Sequence, residues 1–149
     1  MDTIATVESL LNAKGHAVWA VSPDATVFDA LRIMAEKNVG ALLVMADGRL
    51  VGIVSERDYA RKVALAGKNS QSTPVREILT EVVHHVTPAT TVSECMAMVT
   101  DKRVRHLPVL DGNRVAGVIS IGDLVNWIMR TQKAAIDQLE AYIAGGYPA

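Results

Sequence analysis

Two short stretches carry residue types with the reach to bind a ligand. Gly52-Ile53-Val54-Ser55-Glu56-Arg57-Asp58 returns as Gly117-Val118-Ile119-Ser120-Ile121-Gly122-Asp123, 65 residues later. Read as a strand running into a helix, each stretch puts its serine at a helix start. Unpaired main-chain N–H groups and partial positive charge there suit a phosphate. A carboxylate one turn in has acceptor oxygens for two vicinal hydroxyls, as in a ribose, and acidic residues take that role in dinucleotide folds. Hydroxyl, carboxylate and strand edge together suit a nucleoside phosphate. The same Ser-x-x-Asp spacing also fits a capping box, with the serine capping the helix and the acid reaching back to the serine N–H. Duplication would repeat a cap as faithfully as a binding site, so spacing alone leaves both readings open.

The elements that must position these residues repeat with them. From Val21 to Asp58, 12 of 38 positions match their partners 65 residues on, without a gap. A fixed period with no insertions marks a duplicated structural unit. Thr6 to Lys14 reads as a short helix, capped by Thr6 and ended by Gly15. Ala17 to Val21 is a strand candidate, and Pro23-Asp24 a turn. Val27, Ala30, Leu31 and Met34 recur at helical spacing, and Asn38 ends that helix. Gly40–Ala46 and Leu50–Val54 are apolar runs joined by Asp47-Gly48, a strong hairpin signal. Both runs are nearly continuous, which predicts cover on both faces. From Ser55 a helix runs to about Ala66 and stops at Gly67.

The second unit repeats the programme. Pro74 to Leu79 opens with proline at a helix start. Val82 to Val86 is a strand, and Val92, Cys95, Met96 and Val99 form a helix face. His106–Leu110 and Val115–Ile119 form a second hairpin about Asp111-Gly112-Asn113. The last helix runs from Ser120 to about Ala144, with Leu124, Trp127, Ile128, Ala135, Leu139 and Tyr142 apolar and Gly145-Gly146 as its break. The predicted organisation is a first repeat with its N-terminal helix over 1–67, a polar connector over 68–73, and a second repeat with an extended C-terminal helix over 74–149.

Composition bounds the function. The chain has 149 residues, half of them apolar, enough for one compact domain but a poor core for either half alone. A formal net charge of −1 implies no general attraction to nucleic acid or acidic membranes. One cysteine excludes an internal disulfide and fits a reducing compartment. The sequence shows no signal peptide and no apolar run long enough to span a bilayer, so a cytoplasmic protein is expected.

Each unit reads β-α-β-β-α, a mixed α/β arrangement of the α+β class. The ordered set Val-x-Pro-x-x-Thr-Val, helix, Val-x-x-Leu-x-Val, turn and Gly-h-h-Ser-x-x-Asp (h apolar) occurs twice over roughly residues 6–130. It resembles a tandem pair of cystathionine-β-synthase (CBS) domains, a Bateman module. The resemblance implies two repeats related by pseudo-two-fold symmetry, with adenosine derivatives bound in the cleft between them. AMP is expected first, with ADP, ATP, NAD(H) or S-adenosylmethionine behind it. It implies Asp58 and Asp123 as ribose ligands, with Ser55 and Ser120 near ribose or phosphate. The starts of the second strands, Val39-Gly40-Ala41 and Val104-Arg105-His106, would line the cleft, and basic residues there would meet phosphate. Arg105 and His106 stand where the first repeat has Gly40 and Ala41, so the two sites are not equivalent, and Arg57 stands where the second repeat has Gly122. The segments leading into the first strands, Val18-Trp19 and Val83-His84, would hold the base, with Lys14 and Thr80 upstream. Trp19 could stack on a base; a tryptophan at a strand start is more often core.

Other chemistry is weakly supported. His84 and His85 point to opposite faces of a strand, and no cysteine or acid stands at ligand spacing from them, so no metal is expected. Cys95 falls on a buried helix face and should be an inert core thiol. No Ser-His-Asp order, Walker loop or Gly-x-Gly-x-x-Gly is present, so no enzyme is expected. A stand-alone sensor would pass its signal to a separate protein effector. The competing reading is an interaction module with a vestigial cleft, motivated by Trp127, Ile136, Leu139, Tyr142 and Ile143 on the last helix. A homodimer is expected in either case. Nucleic-acid binding through Arg103, Arg105 and Arg114 is disfavoured by the near-neutral charge.

Overall fold

The computed structural model describes residues 5–82 and 84–144. α1 (Val7–Lys14) starts at Thr6, whose hydroxyl accepts from the Ser9 N–H, and ends at Gly15, where φ is 108°. α2 (Val27–Lys37) is capped by Thr26 and closed by Asn38 in the left-handed region. Between them lies β1, which keeps only Ala20–Val21 of the strand expected over 17–21. Upstream of it the Trp19 carbonyl accepts from the Leu43 N–H at 3.0 Å.

β2 (Ala41–Ala46) pairs parallel with β1 and antiparallel with β3 (Arg49–Ser55). Asp47 and Gly48 turn between them with φ of 52° and 75°, as the hairpin signal required. β2 buries Leu42, Leu43 and Val44 in succession. β3 departs from the expectation of cover on both faces: Gly52 and Val54 are buried but Val51 faces solvent. The helix expected from Ser55 to Ala66 divides into α3 (Glu56–Tyr59) and a π-helical turn, Ala60–Ala64.

In the second half Pro74 precedes a single 3-10 turn, Val75–Glu77. The strand expected over 82–86 reduces to a bridge from Val86 to Val109, and Val83 lies outside the described residues. α4 (Val92–Asp101) carries a full capping box between Thr91 and Glu94. β4 (His106–Asp111) and β5 (Arg114–Ser120) pair antiparallel. Leu42 opposes Val54 and Leu107 opposes Ile119, so both hairpins share one register, with an irregularity after Val44 and after Val109. α5 spans Ile121–Ala144. The break expected at Gly145-Gly146 lies beyond the described residues.

The two repeats interlock. Val7, Leu10 and Leu11 of α1 are buried with Val92, Cys95, Leu107, Ile119 and Leu124 of the second repeat. Val75 and Ile78, at the start of the second repeat, are buried with Val27, Ala30, Met34, Leu42 and Val54 of the first. The main chain fixes both crossings: Val7 N–H donates to Thr90 O at 2.8 Å, and Val75 N–H to Ala25 O at 2.8 Å. At ~1.5–3 kcal/mol per fully buried side chain, three α1 residues contribute on the scale of a small domain's whole net stability. Neither core is complete without chain from outside its own repeat.

Candidate functional site

Both Ser-x-x-Asp stretches form caps, but the caps differ. Ser55 N–H donates to Asp58 Oδ2 at 2.9 Å, and Asp58 N–H returns to Ser55 Oγ at 3.1 Å. Ser120 and Asp123 repeat this at 2.8 and 3.1 Å. The next N–H at each helix start is also taken, Glu56 by the Gly40 carbonyl at 3.0 Å and Ile121 by the Arg105 carbonyl at 2.9 Å. The helix starts expected to seat phosphate on their main-chain donors therefore spend most of them within the protein. The same bonds hold Gly40 and Arg105 beside the caps.

The remaining carboxylate capacity separates the two aspartates. Asp58 Oδ2 also accepts from the Ser55 hydroxyl at 3.0 Å. Its Oδ1 accepts from the Thr80 hydroxyl at 3.0 Å and pairs with Lys62 Nζ at 3.0 Å. A carboxylate offers about four acceptor positions, and Asp58, only 9% exposed, has all four occupied. Thr80 reaches it because residue 80 pairs on the β3 edge: Ile53 N–H donates to Thr80 O and Thr80 N–H to Ile53 O. That approach requires Gly52, where a Cβ would lie 2.8 Å from the Thr80 carbonyl oxygen. Asp123 is the opposite case. Its Oδ2 takes the Ser120 N–H and Lys14 Nζ, the latter at 2.5 Å. Its Oδ1 meets no hydrogen-bond donor among the described residues, and a quarter of its side chain is exposed.

Two cavities adjoin these carboxylates. The smaller, about 340 Å³, is lined by Lys14, Trp19, Val39, Gly40, Ala41, His106, Ser120 and Asp123 among the expected residues. It joins the base-holding segment before β1 to the second repeat's carboxylate. The larger, about 1040 Å³, brings together Ser55, Arg57, Asp58, Thr80, His84, Val104, Arg105 and His106. Gly40, Ile53 and His106 line both, so the cavities share a wall. Val18 lines neither, and Val83 lies outside the described residues. Sequence reasoning missed Asn38 in the smaller cavity and Arg61, Lys62 and Lys102 in the larger. Lys62 had a signal, since it stands one helical turn beyond Asp58 at the spacing of an ion pair.

Three side chains set the local chemistry. Trp19 is 39% exposed and borders the smaller cavity, so it is not the core residue its position suggested. Lys37 Nζ sits 4.5 Å from its ring centroid, a cation–π contact. Burial holds the His106 imidazole below its usual range; Asp123 opposes this, while Lys14 and Arg105 reinforce it. His106 is therefore a neutral wall between the cavities near pH 7. Away from both, burial and then Glu94 push the Cys95 thiol up to about 11, as suits a core residue. Among the described residues no group of His, Cys, Asp or Glu could hold a metal ion, and no helix is long and apolar enough to cross a membrane.

Comparison with known proteins places this geometry. The CBS domain profile matches residues 15–65 and 75–130. The mitochondrial CBS domain-containing protein CBSX3 of Arabidopsis thaliana is 40% identical over 95% of this chain and 73% of its own length. A solved CBS-domain structure, NE2398, is 52% identical with a TM-score of 0.80, covering 83% of this chain and 97% of that one. A CBS-domain protein from Burkholderia ambifaria, described as a candidate signal-transduction protein, is 47% identical with a TM-score of 0.83 over 86% of this chain and 96% of its own. With two matched repeats, and with both carboxylates, both strand starts and the cleft between them in place, the chain belongs to the CBS-domain family as a tandem pair.

Proposed function

We propose that this CBS pair is a non-catalytic regulatory module that binds an adenine nucleotide, AMP foremost, in the smaller cavity. The observation that carries the reading is Asp123 Oδ1: a carboxylate oxygen on a cavity wall with no donor among the described residues. A ribose diol would supply the two donors it can accept. About 340 Å³ lies within the usual range for small-molecule sites. Trp19 at the rim offers a face for the base. Lys14, already on Asp123, is the one lysine or arginine among the described residues lining this cavity and suits a single phosphate. Binding would tie the two repeats together and shift the shape presented to a separate effector protein. Calorimetry with AMP on nucleotide-stripped protein tests this. A saturable heat with one site per chain is expected, and no heat at millimolar AMP would refute it.

A second reading adds self-association. Val125, Met129, Ile136, Leu139 and Ile143 of α5 are exposed, and only Leu124 of that helix is buried. Spaced four, seven, three and four apart, they form one apolar stripe that a second copy could cover. Truncation after Arg130 should convert a dimer to a monomer in light scattering; an unchanged mass would count against this surface.

A further inference from the structure

The distal half of α5 is not packed by its own chain. Every residue from Met129 to Ala144 is exposed, and this stretch begins where the matched repeats end, at residue 130. A helix of about this length is marginal in water without tertiary packing. Yet it carries Ile136, Leu139 and Ile143 at 56%, 59% and 73% exposure. The stripe keeps a seven-residue period: Met129, Ile136 and Ile143 take heptad position a, and Val125, Gln132 and Leu139 take d. Leu124, Trp127 and Ile128, which pack on the second repeat, fall at c, f and g. The a/d seam therefore faces away from the chain's own core. Lys133 and Glu140 both fall at e, and Ala135 and Tyr142 both at g.

The charges beside the seam decide what covers it. When two copies of such a helix run antiparallel, a packs on d, e faces e and g faces g across the pair. With Ile136 against Leu139 of the second copy, each Lys133 meets the other copy's Glu140, and this happens twice by symmetry. A slip of one heptad in one direction sets Lys133 against Lys133, and in the other Glu140 against Glu140. One register is thus attractive and its two neighbours are repulsive. In a parallel pair e faces g, so Lys133 meets Ile128 and Glu140 meets Ala135, with no opposite charge. The attractive register also sets Ala135 across from Tyr142, a small residue against a ring. Lys133 holds Asp137 of its own helix at 3.1 Å. Glu140 forms no ion pair with any described residue, so a second copy would bring it a cation.

We propose that the distal halves of α5 from two copies of this chain form an antiparallel coiled coil, with Ile136 packed on Leu139 and Gln132 on Ile143 across the seam. This rests on the self-association reading above and adds to it an orientation and a register.

Disulfide trapping on the full chain tests the orientation and reads the tails directly, whatever other faces touch. An antiparallel pair sets like positions eleven residues apart (143 − 132), ~16 Å along the axis, too far to bridge. Gln132→Cys and Ile143→Cys should therefore each stay monomeric on a non-reducing gel when expressed alone, and form a disulfide dimer when coexpressed. Cys95 is buried and does not compete. Cross-linking of each variant alone, with no gain on coexpression, would mean a parallel pair and overturn the proposal while self-association stands. No cross-link in any combination would also overturn it; a full chain that is monomeric in light scattering would take the self-association reading down with it. Charge swaps test the register. Lys133→Glu and Glu140→Lys should each weaken the dimer about fivefold on dilution. The double variant restores opposite charges and should regain the parent's affinity, which a mere loss of helix stability would not allow. Single swaps without effect, or a double variant no tighter than the singles, would refute the register.

Discussion

Asp58→Ala and Asp123→Ala should separate structure from binding, although the two residues are equivalent in the repeat. Asp58 receives four hydrogen bonds or ion pairs and is 9% exposed. Its removal costs a helix cap, ~1 kcal/mol, and leaves the Thr80 hydroxyl and Ser55 N–H without an acceptor, ~1–3 kcal/mol more. Lys62 is 43% exposed at its side chain and returns to water, so its pairing adds little. A loss of about 2–4 kcal/mol is expected for Asp58→Ala in chemical denaturation, with an unchanged denaturant slope. Asp123 loses only the cap and a partly exposed pair with Lys14, so Asp123→Ala should cost ~1 kcal/mol. The order reverses for ligand. Asp123→Ala removes the acceptor for the ribose, worth ~2 kcal/mol or about thirtyfold in AMP affinity. Asp58→Ala should change AMP affinity less than threefold. Equal stability losses, or an AMP defect in Asp58→Ala as large as in Asp123→Ala, would refute the accounting of acceptor positions.

Other consequences follow from the same contacts. Gly52→Ala would force a Cβ to 2.8 Å from a main-chain oxygen, whereas at Gly117 the close atoms are the flexible tip of Leu11. Gly52→Ala should therefore destabilise by ~1–3 kcal/mol and Gly117→Ala by clearly less, read as a difference in unfolding midpoint. His106 has its folded pKa depressed, so the unfolded chain binds more protons; its contribution is present above the ordinary value of 6.5 and is lost as pH falls below it. Thermal unfolding between pH 5 and 7 should show this slope, and His106→Gln should flatten it; an unchanged slope would contradict the assignment. Cys95, buried with its thiol near 11, should resist a thiol-alkylating reagent at pH 8 in the native state and react on unfolding.

Much of the fold was legible in the sequence because it rests on local rules. Thr6 and Gly15 bound α1, Asn38 closed α2, and Asp47-Gly48 made the first hairpin, each by turn or cap chemistry that neighbours alone decide. The 65-residue period carried those readings into the second half. What local rules do not reach was misread or missed. The first strands shrank to Ala20–Val21 and a bridge at Val86, because their upstream residues line cavities rather than a sheet. That α1 completes the far repeat's core is a tertiary fact with no sequence period. The candidate site was legible as a set of residues but not as two unlike chemistries. Asp58 and Asp123 share a motif, and only Thr80, arriving on the β3 edge, and Lys62 distinguish the sealed carboxylate from the open one. The clustering of cations on the larger cavity was hidden for the same reason. Arg57, Arg61, Lys102, Arg103 and Arg105 come from distant parts of a chain whose net charge is −1.

The most direct test of the central claim is a crystal structure of the nucleotide-stripped protein soaked or grown with AMP. The account predicts the ribose hydroxyls within hydrogen-bonding distance of Asp123 Oδ1, the base beside Trp19 and the phosphate near Lys14. AMP seated on Asp58 instead, or a smaller cavity that stays empty at saturating ligand, would contradict it.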